Sequence, residues 1–220
     1  MAENQRKVDS ATEPAKVTGT QWKTFSRTQA ASNVRERLAE MCSGYERCMY
    51  CEDGQASHID HFRPKVHYPG ACFAWENLLL ACERCNSNFK RDVFPLGPGG
   101  RPLLIDPTVD DPTNHLRLSL TTGRYVGITA RGTTSIDVFG LNREICINGR
   151  LDAWEVFQAM VHFYQASDVR HREFILRAIR NHPFQGVRAT VAATREAGDR
   201  SGMIPITVGS LLDQYPEVLE

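Results

Sequence analysis

At 220 residues, the chain is long enough for one ordinary domain, or for a small catalytic module with a helical extension packed against it. Its content of 41% hydrophobic and 24% charged residues is typical of soluble globular proteins, which excludes a fibrous or largely disordered chain. Lysine plus arginine equals aspartate plus glutamate at 26 each, so the total charge provides no long-range attraction to nucleic acid.

The N-terminal residues 1–20 are polar and are predicted to form a flexible tail without the apolar region of a secretory signal. The longest apolar runs, such as residues 78–81, are far shorter than a membrane span. We therefore expect a cytoplasmic protein with no membrane association. In that compartment, the seven cysteines are expected to serve metal binding or packing rather than disulfides.

An amphipathic helix is predicted within residues 22–42, where apolar residues recur at helical spacing. The residues that carry this pattern are Ala30, Val34, Leu38 and Met41. The following segment, from Cys48 to Lys90, has poor apolar periodicity and a high density of residues that bind metals. Together these features predict a module with an N-terminal helix over residues 21–96.

The remaining residues, 97–220, begin with a Gly/Pro linker and are predicted to form short strands followed by a helical region. Alternation between residues 103 and 129 indicates two or three strands. Helical patterns follow at about 133–141, 148–166, 168–181, 187–196 and 210–219. The predicted fold class is therefore α+β.

Two Cys-x-x-Cys pairs lie at the ends of the irregular segment, Cys48 with Cys51 and Cys82 with Cys85. Each pair can supply two thiolates from one turn, and four thiolates complete the tetrahedral coordination of zinc. A filled coordination sphere cannot activate water, so the predicted zinc is structural. The alternative is four reduced cysteines buried without a metal.

The order of motifs from Cys48 to Lys90 is Cys-x-x-Cys, Asp-His-x-x-Pro, Asn-Leu, Cys-x-x-Cys-Asn and Lys. This order resembles the HNH endonucleases, which have the ββα-metal fold, over about a fifth of the chain. The sequence His-Ile-Asp-His-Phe-Arg-Pro-Lys at residues 58–65 is most similar to the HNH subunits of Septu-type and retron-linked anti-phage systems. The resemblance implies a zinc-stapled ββα-metal module with an N-terminal helix and a mostly helical C-terminal extension.

The resemblance also implies a role for each matching residue. His61 is the expected general base, and Asp60 the expected ligand of a catalytic divalent ion. Asn77 is expected to tie down the hairpin so that His61 is correctly oriented, and Asn86 to give its amide oxygen to the same ion. Because Asn86 stands where many members have histidine, the ligands are oxygens, which favour Mg²⁺ or Mn²⁺.

Four neighbouring residues are candidate substrate contacts: His58, Arg63, Lys65 and Lys90. The alternative for the three basic residues is an ordinary solvated side chain, and for His58 a structural residue in an apolar strand. Adjacent residues of a strand point to opposite faces, so Asp60 and His61 can share one task only if the strand bends there.

The sequence thus predicts a metal-dependent endonuclease that hydrolyses phosphodiester bonds in nucleic acid, with double-stranded DNA as the expected substrate and anti-phage defence as the expected setting. One alternative is a non-catalytic zinc module that binds nucleic acid or a protein. Another is an RNA-cleaving effector subunit controlled by a partner ATPase. A zinc-binding module needs only the four cysteines, whereas the chain also carries Asp60, His61, Asn77 and Asn86.

Overall fold

The structure, a computed structural model, describes residues 1–198 and 202–220. Its helices in these ranges are α1 Ala2–Asp9, α2 Pro14–Phe25, α3 Gln29–Glu40, α4 Ala130–Phe139, α5 Glu144–Ala166, α6 Val169–Asn181, α7 Gln185–Glu196 and α8 Ile206–Gln214. Its strands are β1 His58–His61, β2 Leu78–Ala81, β3 Leu116–Leu118 and β4 Tyr125–Gly127, which form the antiparallel pairs β1–β2 and β3–β4. The predicted α+β class is confirmed.

The predicted flexible tail over residues 1–20 is wrong, because this segment forms α1 and most of α2. Val8 is fully buried, and the Gln5 side chain accepts a hydrogen bond from the Phe73 backbone N–H at 2.9 Å. Gln5 also donates to the Pro69 carbonyl at 3.2 Å. In α1 only Val8 is buried, so the sequence lacks the apolar stripe by which such a helix is recognised.

The single helix predicted within residues 22–42 is interrupted, since α2 ends at Phe25 and α3 begins at Gln29. Thr28 causes the new start, because its side chain accepts a hydrogen bond from the Ala31 N–H and caps α3. The cap lets α3 pack against β2 while α2 takes another direction. As a result, Trp22 in α2 reaches the ring of His61 in β1.

The four residues of β2 are all buried, because the two faces of this strand meet two different hydrophobic clusters. Leu78 and Leu80 pack in a small N-terminal cluster with Val8, Phe25 and Leu38. Leu79 and Ala81 instead belong to a large cluster that includes residues of the C-terminal helices. The hairpin therefore lies between the two cores, which fixes its position.

The large cluster contains the four paired cysteines together with buried side chains of α4–α8. Tyr50, between the first pair of cysteines, stacks on Phe139 of α4 with ring centroids 4.0 Å apart. Residues on both sides of the predicted boundary at residue 96 therefore share this large cluster. Among the described residues, no helix is both long and apolar enough to cross a lipid bilayer.

Candidate functional site

Four cysteine side chains, those of Cys48, Cys51, Cys82 and Cys85, converge at one end of the hairpin, as their spacing predicts. Their sulfur atoms all lie within 4.8 Å of one another, and the Cys51 and Cys82 sulfurs are 3.9 Å apart. A tetrahedral ion with Zn–S bonds of ~2.3 Å places its sulfurs about 3.8 Å from one another. The arrangement therefore fits a four-thiolate zinc site.

Local backbone structure aims each pair of sulfurs inward. The first pair lies in a turn that is closed by hydrogen bonds from the Glu52 N–H to the Cys48 carbonyl at 2.8 Å and from the Cys48 N–H to the Gly54 carbonyl at 3.0 Å. In the second pair, the Cys85 N–H donates to the Cys82 sulfur at 3.4 Å. Such N–H donors stabilise thiolate charge, which a metal ligand must carry.

Two residues that the sequence analysis did not assign approach the cluster from the start of α5. Arg143 donates from Nη1 to the Cys85 sulfur at 3.6 Å, across 58 residues of chain. A hydrogen bond from the Cys146 thiol, and others within the cluster, lower the pKa of Cys51. Four thiolates around one Zn²⁺ leave a net charge of −2, so a guanidinium beside them is stabilising. No spacing pattern reveals these contacts, which arise only when the chain folds.

Apart from the cysteine cluster, a hollow of about 330 Å³ lies beside β1 and is lined by Asp60, His61 and Asn86. These are three of the four residues to which the sequence analysis gave catalytic roles. Lys65 and Arg91 line the same hollow. We refer to it as the Asp60–His61 pocket.

Asp60 is buried and already has partners of its own. The Tyr50 hydroxyl donates to its Oδ2 at 2.6 Å, and the Lys90 ammonium lies 3.0 Å from Oδ2 and 3.2 Å from Oδ1. Burial raises the pKa of Asp60, while the adjacent Lys90 charge and the Tyr50 hydrogen bond oppose that rise. The carboxylate is thus held in one orientation at the wall of the pocket.

The prediction that Lys90 contacts substrate is wrong, because its side chain is 0% exposed. Besides its ion pair with Asp60, the ammonium donates to the His61 carbonyl at 2.6 Å. A buried ammonium is stable only with such partners, and Asp60 supplies the charge that Lys90 requires. Lys90 therefore holds β1 in place and is not accessible to a phosphate.

His61 lies on the opposite side of β1 from Asp60, as strand alternation requires, although both residues reach the pocket. Its Nε2 is 3.0 Å from the Cys72 carbonyl oxygen. Since a carbonyl can only accept, Nε2 carries the proton and Nδ1 has the free lone pair. The imidazole ring also packs edge-on against the Trp22 ring, with the two ring centroids 4.3 Å apart. Burial lowers the pKa of His61 to about 3, so the imidazole is neutral at neutral pH.

Asn77 is buried, and its side-chain amide joins the two sides of the hairpin loop. Oδ1 accepts from the Arg63 N–H at 2.7 Å, while Nδ2 donates to the carbonyls of Arg63 at 3.1 Å and Ala71 at 3.0 Å. These three bonds fix the chain immediately after His61. Asn77 lies outside the residues that line the pocket and acts on the backbone alone.

Asn86 lies in a π-helix over Arg84–Lys90, in which the Arg91 N–H donates to the Asn86 carbonyl at 2.7 Å. The side chain of Asn86 is half-buried and lines the pocket, whereas Asn88 is exposed. π-Helical turns are rare and are frequent at functional sites.

The other predicted substrate contacts are more accessible than Lys90. Lys65 is half-buried and lines the pocket, and Arg63 is exposed just before it. His58 lines an adjoining hollow of about 390 Å³, which shares Lys65 and Asn86 with the Asp60–His61 pocket. The two hollows form a continuous surface across β1 and the π-helix.

Comparison with known proteins gives a family match in this part of the chain. The HNH endonuclease family model matches residues 48–91, from the first cysteine pair to the end of the π-helix. The Septu protein PtuB of Bacillus mycoides (strain KBAB4) is 32% identical over 142 residues, covering 50% of this chain and 47% of that protein. The Septu protein PtuB of Bacillus thuringiensis is 32% identical over 117 residues, covering 50% of this chain and 41% of the relative.

These matches confirm the resemblance to HNH endonucleases and to Septu proteins that the motif order indicates. Residues 48–91, which match the HNH endonuclease family model, are called the HNH-type module below. The matched region spans less than half the length of either Septu relative.

Proposed function

We propose that this protein is a cytoplasmic, metal-dependent endonuclease that hydrolyses phosphodiester bonds of double-stranded DNA as an effector of anti-phage defence. The observation that carries the proposal is the meeting of Asp60, His61 and Asn86 in one pocket, within the segment that matches the HNH endonuclease family. A module that only binds zinc needs the four cysteines and none of these three residues.

The donor atoms in the pocket support a catalytic Mg²⁺ or Mn²⁺, and the cysteine cluster supports a structural Zn²⁺. Asp60 and Asn86 offer a carboxylate and an amide oxygen, which are hard ligands, and the cluster offers thiolates, which suit zinc. When bound, the divalent ion supplies charge neutralisation at the scissile phosphate and at the leaving oxygen. Tyr50 and Lys90 hold the Asp60 carboxylate in place for it.

His61 is suited to accept the proton of the attacking water at Nδ1. The hydrogen bond from Nε2 to Cys72 and the contact with Trp22 fix the ring, so its lone pair keeps one direction. Burial keeps the imidazole neutral, and therefore able to accept a proton, at neutral pH. A phosphate anion beside the ring would stabilise the protonated form, so that bound substrate increases the basicity of His61.

Asn77 is proposed to be a positioning residue. Its bonds to Arg63 and Ala71 hold the segment that follows His61 without contact with the reacting groups. The neutral net charge supports a nuclease that gains affinity for DNA from another protein, for which we propose a partner ATPase.

The substitution His61→Ala tests this function. We expect it to lower cleavage of plasmid DNA in Mg²⁺ by a factor of ~10² to 10⁴, because the general base is lost. The content of zinc, measured by metal analysis, should stay at that of the wild type. Cleavage should be measured for the purified chain and for cells that express its complete genomic locus, so that dependence on a partner is visible.

His67→Ala is the matched control, since His67 is exposed and does not line the pocket. It should cut as the wild type does. Undiminished cleavage by His61→Ala would refute the assignment of His61 as the general base. Degradation of RNA with duplex DNA left intact would show that the substrate is RNA and not DNA.

A further inference from the structure

Three cationic side chains lie at or beside the Asp60–His61 pocket, those of Lys65, Lys90 and Arg91. Only two of them are accessible to a nucleic acid, because the Lys90 charge is buried against Asp60. Arg91 is exposed and lines the pocket. Within residues 1–198 and 202–220, its guanidinium has no hydrogen-bond or ion-pair partner.

The backbone of Arg91 is strained. Its φ is 53° and its ψ is −117°, a combination that glycine adopts readily and that a residue with a side chain rarely adopts. The cause is local, because the Arg91 N–H closes the π-helix on the Asn86 carbonyl while Lys90 is drawn inward to Asp60. The chain leaves the π-helix at residue 91, and the Arg91 side chain is exposed and lines the pocket.

An arginine held in a conformation that favours glycine is a feature that stability alone does not explain. Strain of this kind concentrates at functional sites, where the side chain performs a task that glycine cannot. A planar guanidinium that lacks partners binds two phosphate oxygens at once, which an ammonium does not. Arg91 lies on the same pocket as the proposed general base and the proposed ion ligands.

We propose that Arg91 is a substrate-contacting residue that binds the non-bridging oxygens of a backbone phosphate of the nucleic acid, and that its strained backbone is retained for this contact. The proposal deepens the nuclease function proposed above and rests on it. Arg91 thus takes the place in substrate binding that the sequence assigned to Lys90.

The test is Arg91→Gly, which removes the guanidinium and relieves the strain together. We expect the thermal midpoint to rise by about 2–4 °C and cleavage of duplex DNA to fall at least ~10-fold. A residue with only a structural role would not shift these two quantities in opposite directions. Arg91→Lys, which keeps the charge but loses the bidentate geometry, should restore part of the cleavage.

Binding of duplex DNA to the His61→Ala protein gives a second readout that does not depend on cleavage. The logarithm of the binding constant falls linearly with the logarithm of the salt concentration. Adding Arg91→Gly should make this slope less steep by about 1, which is the contribution of one phosphate contact. Arg84→Ala is the control, because Arg84 is an exposed arginine of the same π-helix that does not line the pocket. It should change neither slope nor cleavage.

Wild-type cleavage and an unchanged salt slope in Arg91→Gly would overturn the inference while leaving the nuclease function intact. A lower midpoint of thermal unfolding in Arg91→Gly would overturn the claim that the backbone of Arg91 is strained. If the wild-type protein, with its genomic partners present, neither binds nor cuts nucleic acid, the proposed function itself fails and the inference with it.

Discussion

The cysteine cluster and the Asp60–His61 pocket are built on the same hairpin and differ in access. The four cysteines of the cluster are at most 8% exposed, and Arg143 and Cys146 cover them from the start of α5. In the pocket, the functional groups lie at the wall of an open hollow, and the Arg91 side chain is exposed. A closed set of four ligands suits an ion that holds the fold, and an open set of oxygens suits one that meets a substrate.

The two regions also manage buried charge differently. Sulfur atoms of the cluster receive hydrogen bonds from the Cys85 backbone N–H and from Arg143, which lies far along the chain. Asp60 in the pocket instead has its partners inside the HNH-type module, namely Tyr50 and Lys90. The cluster therefore joins the module to the C-terminal helices, whereas both partners of Asp60 lie within the module. Changes at the two regions should affect different properties.

The largest effect is expected from Cys48→Ser, because loss of one ligand removes zinc whose binding free energy supports folding. Metal analysis should find one zinc per wild-type chain and none in the variant, and the variant should lose cooperative thermal unfolding. Cys42→Ser is the control, since the Cys42 thiol lies outside the cluster and donates to the Leu38 carbonyl. A Cys48→Ser protein that keeps its zinc and its thermal midpoint would remove the distinction between the regions.

A smaller and purely functional effect is expected from Asn86→Ala. Loss of one oxygen ligand should lower cleavage in Mg²⁺ at least ~10-fold while zinc content and thermal unfolding stay unchanged. Asn86→His should shift the preference towards softer ions such as Ni²⁺ or Co²⁺. Asn88→Ala is the matched control on the exposed side of the π-helix. Normal cleavage by Asn86→Ala combined with loss in Asn88→Ala would reassign the ligand.

The sequence was sufficient for features that depend on local spacing. The two Cys-x-x-Cys pairs predict a four-sulfur cluster because each pair is a short turn, and the hairpin between them brings the turns together. The position of Asn77 just before β2 agrees with what the resemblance to HNH endonucleases implies. The C-terminal helices followed from apolar periodicity.

Features that depend on distant contacts were not predictable. Lys90 looks like a solvated lysine in the sequence, and its burial requires that Asp60 and Tyr50 surround it. The contact of Trp22 with His61 depends on the path of α2, whose first part the sequence predicts to be a flexible tail. A π-helix has no distinct sequence periodicity in so short a segment, so the backbone conformation of Arg91 could not be predicted from the sequence either.

The central claim is that one ion maintains the fold and a different ion, in the Asp60–His61 pocket, supports cleavage. The direct measurement uses one zinc-loaded sample to which the proposed partner ATPase has been added. Its zinc content and its cleavage activity are followed as a chelator too mild to strip four thiolates is added. We expect cleavage to stop while one zinc per chain remains, and to return when Mg²⁺ or Mn²⁺ is added in excess. Cleavage that continues without Mg²⁺ or Mn²⁺, or that stops only as zinc leaves, would contradict the claim.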